Sequence, residues 1–153
     1  MRNDHYPDLP IDPDSPSPDR PLHRQPWAMA LVFIGGVFGT LLRYGVGELV
    51  APSGGWPVGT LSVNIVGAFI LGALLEALTR SGPDAGNRQR IRLLVGTGLC
   101  GSLTTYSTFA TEIALLGRDG QLAVAISYAV ITVIGGAIAT LAGIALGALR
   151  ARA

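Results

Sequence analysis

An all-α membrane protein with four transmembrane helices is the fold class this 153-residue chain predicts. Hydrophobic residues make up 49% of it and the mean hydropathy is +0.46, too apolar for an ordinary soluble domain. Four apolar stretches, at about 27–50, 58–79, 92–117 and 121–149, each reach the ~20 residues needed to cross a ~30 Å hydrocarbon core. A third observation refines the class. Residues 96–112, GTGLCGSLTTYSTFATE, place hydroxyls, glycines and two aromatics inside one of these stretches, so polar groups are held where lipid would exclude them.

The first 26 residues precede the spans and differ from them, carrying seven of the ten prolines and five of the ten acidic residues. Such a segment buries too little apolar surface to offset its chain entropy, which predicts a disordered tail at 1–26 ahead of a four-helix transmembrane domain at 27–153. The apolar run from Trp27 is long and is followed by more spans, unlike a cleaved secretory signal.

All eleven basic residues are arginines. Arg20 and Arg24 precede span one; Arg80, Arg88, Arg90 and Arg92 lie between spans two and three; Arg150 and Arg152 end the chain. Only Arg43 and Arg118 fall on the other side. Eight against two in short loops predicts both termini in the cytoplasm.

Span one has Gly35, Gly36 and Gly39 on nearly one face, a packing seam, followed by Arg43 and Tyr44 near its outer end. Arg43 either snorkels to the headgroups or anchors a polar network that attracts anions. PSGGWP then forms a short turn with Trp56 at the interface.

Span two places Asn64 about one and a half turns in, with Thr60 four residues before it. An amide at that depth must find a partner, either another helix or a pore. Glu76, near the opposite end, reads as an interfacial charge.

Span three carries Gly96, Gly98 and Gly101 and then Thr104 and Thr105, a density of helix-weakening residues that predicts an unwound turn near mid-membrane, around 101–104. Carbonyls freed there could coordinate a hard monovalent cation. Tyr106 and Phe109 share a face beyond the break, with Thr105, Thr108 and Glu112 adjacent. Cys100 is a small apolar filler, and a single cysteine allows no internal disulfide.

Span four has two stripes at i, i+4 spacing. Gly135, Ala139, Gly143 and Gly147 form a packing seam. Tyr128, Thr132, Gly136 and Thr140 form a hydroxyl-bearing face, each hydroxyl either bonding its own i−4 carbonyl or joining a polar track.

Three strings in order, GGVFGTLLRY at 35–44, GTLSVNIVGAFILG at 59–72 and GLCGSLTTYSTFATE at 98–112, with Tyr128 placed in span four, resemble the Fluc (also called CrcB) family of bacterial fluoride channels. The resemblance covers essentially everything after the tail. It implies a passive fluoride channel of the bacterial inner membrane, assembled as an antiparallel dimer with two pores and one structural, untransported sodium ion. The sodium would be held by the backbone carbonyls of Gly101 and Thr104 from each subunit. The pore would use Asn64, Thr105, Thr108 and Thr132, the aromatic-box positions Tyr106 and Phe109, and Tyr128, with Glu112 near a vestibule and Arg43 near an entrance. The first box position, usually Phe in the family, is Tyr106 here. The arginine bias favours one insertion direction, so the antiparallel partner is either a second copy or an oppositely oriented paralogue.

Nothing in the sequence calls for an enzyme or a nucleic-acid partner: there is no nucleophile and base pair, no phosphate loop and no metal-ligand spacing. The rival reading is a proton-coupled small multidrug exporter, which wants a membrane-embedded carboxylate. Glu48, Glu76 and Glu112 all lie toward span ends. A third reading is an assembly subunit held by glycine seams, in which Asn64 is dispensable for ion flux.

Overall fold

The structure, a computed structural model, describes residues 21–150. Residues 1–20 of the predicted tail at 1–26, Arg20 among them, lie outside that range, as does Arg152. Within the described part of it, Leu22–Arg24 forms a single 3₁₀ turn ahead of the first helix.

Four spans follow as predicted, within a few residues at their ends. Helix α1 runs Pro26–Leu49, opening on a proline at its first position, where the missing N–H costs nothing. Helix α2 runs Val58–Arg80. The third span comprises α3, residues 87–103, and α4, Tyr106–Arg118; the fourth is α5, Leu122–Arg150. Helices α1, α2 and α5 are each long and apolar enough to cross a bilayer unbroken. Their outer faces are apolar too: Phe33, Leu41 and Ile138 are each at least 60% exposed, where a soluble protein would put polar groups.

The third span is broken, as predicted, but the break falls at the end of the expected stretch and not at its glycines. Its glycine-rich part is not unwound. Arg92–Cys100 is π-helical, flanked by the α-turns Asn87–Ile91 and Gly101–Leu103. Gly101 itself is helical, at φ −63° and ψ −27°. The break comes after it, at Thr104 and Thr105, which are both extended (φ −77°, ψ 153° and φ −148°, ψ 124°). Of the span's glycines only Gly98 marks a close backbone approach, 2.7 Å from a Cβ placed there to the Val32 carbonyl oxygen, whereas the break forms where a side chain can take over the backbone's hydrogen bonds.

Two helix pairs, α1 with α3 and α2 with α5, build the bundle, and α4 returns against α5. Both pairs are closed by missing side chains. A Cβ on Gly35 would lie 2.0 Å from the Leu94 carbonyl oxygen, and one on Gly143 would lie 2.2 Å from the Phe69 carbonyl oxygen. The predicted seam of α5 therefore faces α2. In α1 only Gly35 and Gly39 pack this way. A Cβ on Gly36 would meet nothing within 4 Å, and Gly36 contributes its carbonyl, which accepts from Ser102 Oγ at 2.9 Å.

Candidate functional site: a polar clasp and a cavity between the helices

At the break in the third span, the backbone N–H of Thr105 donates to Asn64 Oδ1 at 2.8 Å, and Asn64 Nδ2 donates to the Thr105 carbonyl at 3.1 Å. One amide on α2 thus takes both polar groups of a peptide that has left its helix. In an apolar surrounding this is the alternative to leaving a donor and an acceptor unsatisfied. Asn64 thus makes the helix-to-helix bond that was one of the two roles open to it in the sequence. Its second amide hydrogen has no partner among the described residues.

The same diversion frees carbonyls. The Thr105 N–H would close the helical bond to the Gly101 carbonyl but is held by Asn64. The Thr108 N–H would do the same for the Thr104 carbonyl but goes to Thr105 Oγ1 at 3.2 Å, capping α4. The two carbonyls that the sequence reading assigned to a cation have therefore both lost their i+4 donors. No cluster of three His, Cys, Asp or Glu side chains that could hold a metal occurs among the described residues.

Thr105 also donates from Oγ1 to Thr108 Oγ1 at 3.1 Å. Both threonines line a cavity of about 420 Å3 that is also bordered by Thr40, Arg43, Thr60 and Glu112. Glu112 is half-buried and turned inward rather than left at a headgroup edge. One carboxylate oxygen accepts from Thr60 Oγ1 at 2.7 Å and the other from Tyr128 Oη at 2.7 Å, tying α2, α4 and α5 together. Arg43 on the α1 wall has no carboxylate partner among the described residues.

The aromatics form a chain beside this network. Tyr106 and Phe109 lie 6.1 Å apart between centroids, Phe109 and Tyr128 5.3 Å, and Tyr128 and Trp56 6.3 Å in an edge-on arrangement. Tyr128 is fully buried, but Tyr106 is 80% exposed on this chain, so its ring sits at the outer end of the row and is not among the groups lining the cavity. Thr132, one turn beyond Tyr128, is 8% exposed and its Oγ1 has no hydrogen-bond partner. Thr140, further along the same face, satisfies itself on the Gly136 carbonyl at 2.9 Å.

The structure thus makes two hydrogen-bonded sets, Asn64 with Thr105 and Thr108, and Glu112 with Thr60 and Tyr128, which share one cavity wall with Arg43 through Thr105, Thr108 and Glu112. Phe109 joins by ring contact to Tyr128, whereas Tyr106 and Thr132 belong to neither hydrogen-bonded set. Sequence reasoning passed over Thr40 and Thr60 as site residues and treated Trp56 as an interface anchor in a plain turn. Thr60 was findable, because i, i+4 spacing puts it on the Asn64 face. Trp56 was not: its place against Tyr128 comes from the turn, where Ser53 and Trp56 pair as an isolated β-bridge.

The Tyr128 hydroxyl makes a direct prediction. A hydrogen bond to a charged group contributes about 1.5–3 kcal/mol, so Tyr128→Phe should lower the melting temperature in detergent, with the ring packing kept. Unchanged melting would show that Glu112 does not need the phenol.

A helical membrane protein with a hydroxyl-lined recess between its helices is the class to which small ion channels belong. The model of the family "CrcB-like protein, Camphor Resistance (CrcB)" matches residues 30–144, and the chain belongs to that family. It is 42% identical over 130 residues, covering 84% of this chain and 90% of the relative, to the fluoride-specific ion channel FluC 1 of Cutibacterium acnes. It is 44% identical over 128 residues, covering 84% and 88%, to FluC 2 of Leifsonia xyli subsp. xyli. A relative from Methanocaldococcus jannaschii, also named a fluoride-specific ion channel, is 40% identical over 107 residues, covering 70% and 83%.

Proposed function

We propose that this chain is a subunit of a fluoride-selective channel that lets cytoplasmic fluoride leave the cell passively, lowering its toxicity. One observation carries the reading: relatives above 40% identity across 84% of the chain are named fluoride-specific ion channels. The chemistry of the site supports it. Fluoride is small and strongly hydrated, so a selective path must replace its water with close donors without trapping it on a fixed charge. Neutral amide and hydroxyl donors at Asn64, Thr105, Thr108 and Thr132 meet that need. The ring edges of Tyr106, Phe109 and Tyr128 present partial positive charge to an anion. Arg43 draws anions toward the cavity at the entrance, and the carboxylate of Glu112 keeps the Thr60 and Tyr128 hydroxyls oriented in its vestibule.

No pump is required. Fluoride released from entering HF is expelled by a negative interior, gaining about 2.3 kcal/mol per unit charge per 100 mV. No catalytic step enters this scheme. The exporter reading is not favoured, since both Glu112 oxygens are engaged by hydroxyls and Glu48 and Glu76 lie near the ends of α1 and α2.

The working assembly in this proposal is an antiparallel dimer in the inner membrane, with this subunit's termini in the cytoplasm. The partner is a second copy or, given the arginine bias, an oppositely inserted paralogue. The Gly101 and Thr104 carbonyls, deprived of their helical donors, fit a structural sodium ion. When bound, the sodium supplies positive charge beside the pores.

Reconstitution in vesicles with fluoride- and chloride-selective electrodes tests the proposal, using the chain alone and together with a paralogue of opposite arginine bias. Fluoride efflux without chloride efflux in either preparation is expected, with Phe109→Ile much slower. Equal chloride flux would end the selective-channel reading, and conduction by the chain alone would remove the need for a paralogue.

A further inference from the structure

A second cavity lies away from the polar site, at the end of the bundle that carries the arginines. It is an apolar groove of about 570 Å3 between the Leu22–Arg24 turn, the start of α1 and α3, walled by Leu22, Met29, Val32, Phe33 and Leu93, with His23 also bordering it. Met29 and Phe33 are 57% and 73% exposed on this chain, so the groove opens on the apolar flank of α1.

The charge around the groove is one-sided. Two arginines at this end are paired, Arg80 with Glu76 and Arg92 with Asp84. Arg24, Arg88 and Arg90 have no carboxylate partner among the described residues. Arg24 belongs to the 3₁₀ turn that forms one wall. The Arg90 guanidinium lies 5.9 Å over the ring of Trp27, and Leu93, which lines the groove, is one turn further along α3. Trp27 is of the type that settles at headgroup level. A slot for a hydrocarbon chain is therefore flanked in the chain by two cations, Arg24 next to His23 and Arg90 one turn before Leu93.

We propose that this groove binds an anionic phospholipid, with one acyl chain between Met29, Phe33 and Leu93 and the headgroup phosphate against Arg24 and Arg90. Residues 1–20 are the other candidate occupant because of their aspartates, but their Pro- and Asp-rich composition offers few bulky apolar groups for such a slot. A zwitterionic lipid offers the chain without the net charge that the unpaired arginines select.

Native mass spectrometry and melting of the purified full chain, with phosphatidylglycerol or phosphatidylcholine added, test the proposal. Phosphatidylglycerol should remain bound and raise the melting temperature, whereas phosphatidylcholine should do neither. The double variant Arg24→Gln, Arg90→Gln should bind phosphatidylglycerol roughly 25-fold more weakly, about fivefold per arginine. Met29→Trp, which fills the slot and leaves the charges, should also lower retention. Equal retention of both lipids, or unchanged binding by these variants, would overturn the proposal. So would phosphatidylglycerol binding that emerges only once Asp4, Asp8, Asp12, Asp14 and Asp19 are replaced by Asn, because the tail would then be the occupant.

Discussion

Asn64→Leu is expected to abolish fluoride efflux and to destabilise the protein by about 2–6 kcal/mol, since it strands two buried polar groups at about 1–3 kcal/mol each. The groups are the N–H and C=O of Thr105, a residue only 8% exposed whose backbone bonds run to this one side chain. Leucine matches asparagine closely enough in size that lost packing is not the main effect. Asn64→Asp makes the argument sharper. One carboxylate oxygen still accepts from the Thr105 N–H, but the other faces the Thr105 carbonyl with no hydrogen to share. That variant should melt between the parent and Asn64→Leu, yet conduct as poorly as Asn64→Leu, because a fixed negative charge now stands beside the path. Melting in detergent and electrode-detected efflux from vesicles separate the two roles. If Asn64→Leu melts like the parent, the clasp contributes nothing to stability; if it also conducts like the parent, the polar path lies elsewhere.

The clasp also shows how far a sequence can be read. Four spans were legible because bilayer thickness fixes their length and composition. The need for a partner at Asn64 was legible because an amide in lipid must bond to something. Which partner it takes was not, since Asn64 and Thr105 are 41 residues apart and helical spacing relates only residues on one helix. The position of the break suffered from the same limit. Glycines at 96, 98 and 101 lower the cost of irregular backbone, yet all three stay helical, Gly96 and Gly98 within the π-helical stretch and Gly101 in the α-turn after it, while the break moved on to the residue Asn64 could reach. On α5 the i, i+4 rule did better, because Gly143 and Gly147 belong to one helix and pack on one neighbour. The same rule gave Thr140 its own i−4 carbonyl and left Thr132 Oγ1 without a partner. That difference depends on what surrounds each hydroxyl, which no spacing encodes.

Adjacent glycines on α1 supply the second large effect. Gly35→Ala is expected to be severely destabilising, because its methyl would lie 2.0 Å from the Leu94 carbonyl oxygen and within 3.0 Å of the Leu99 nitrogen and the Gly98 Cα. All three are backbone atoms of α3, so no rotamer change relieves the overlap and the two helices must separate. Overpacking of this kind costs about 1–3 kcal/mol where neighbours can adjust, and a rigid backbone neighbour puts Gly35→Ala at or above the top of that range. Gly36→Ala, one residue away and equally placed for sequence-based reasoning, meets nothing within 4 Å and replaces a poor helix former with the best one. It should melt at or slightly above the parent temperature and leave efflux intact. Helix association in lipid depends on close backbone approach rather than on expulsion of water, so the contrast between these two substitutions measures how much of the α1–α3 contact is shape alone. Equal melting temperatures for Gly35→Ala and Gly36→Ala would mean that α1 does not dock against the π-helical stretch, and the wall that carries Thr40 and Arg43 would then have to be drawn elsewhere.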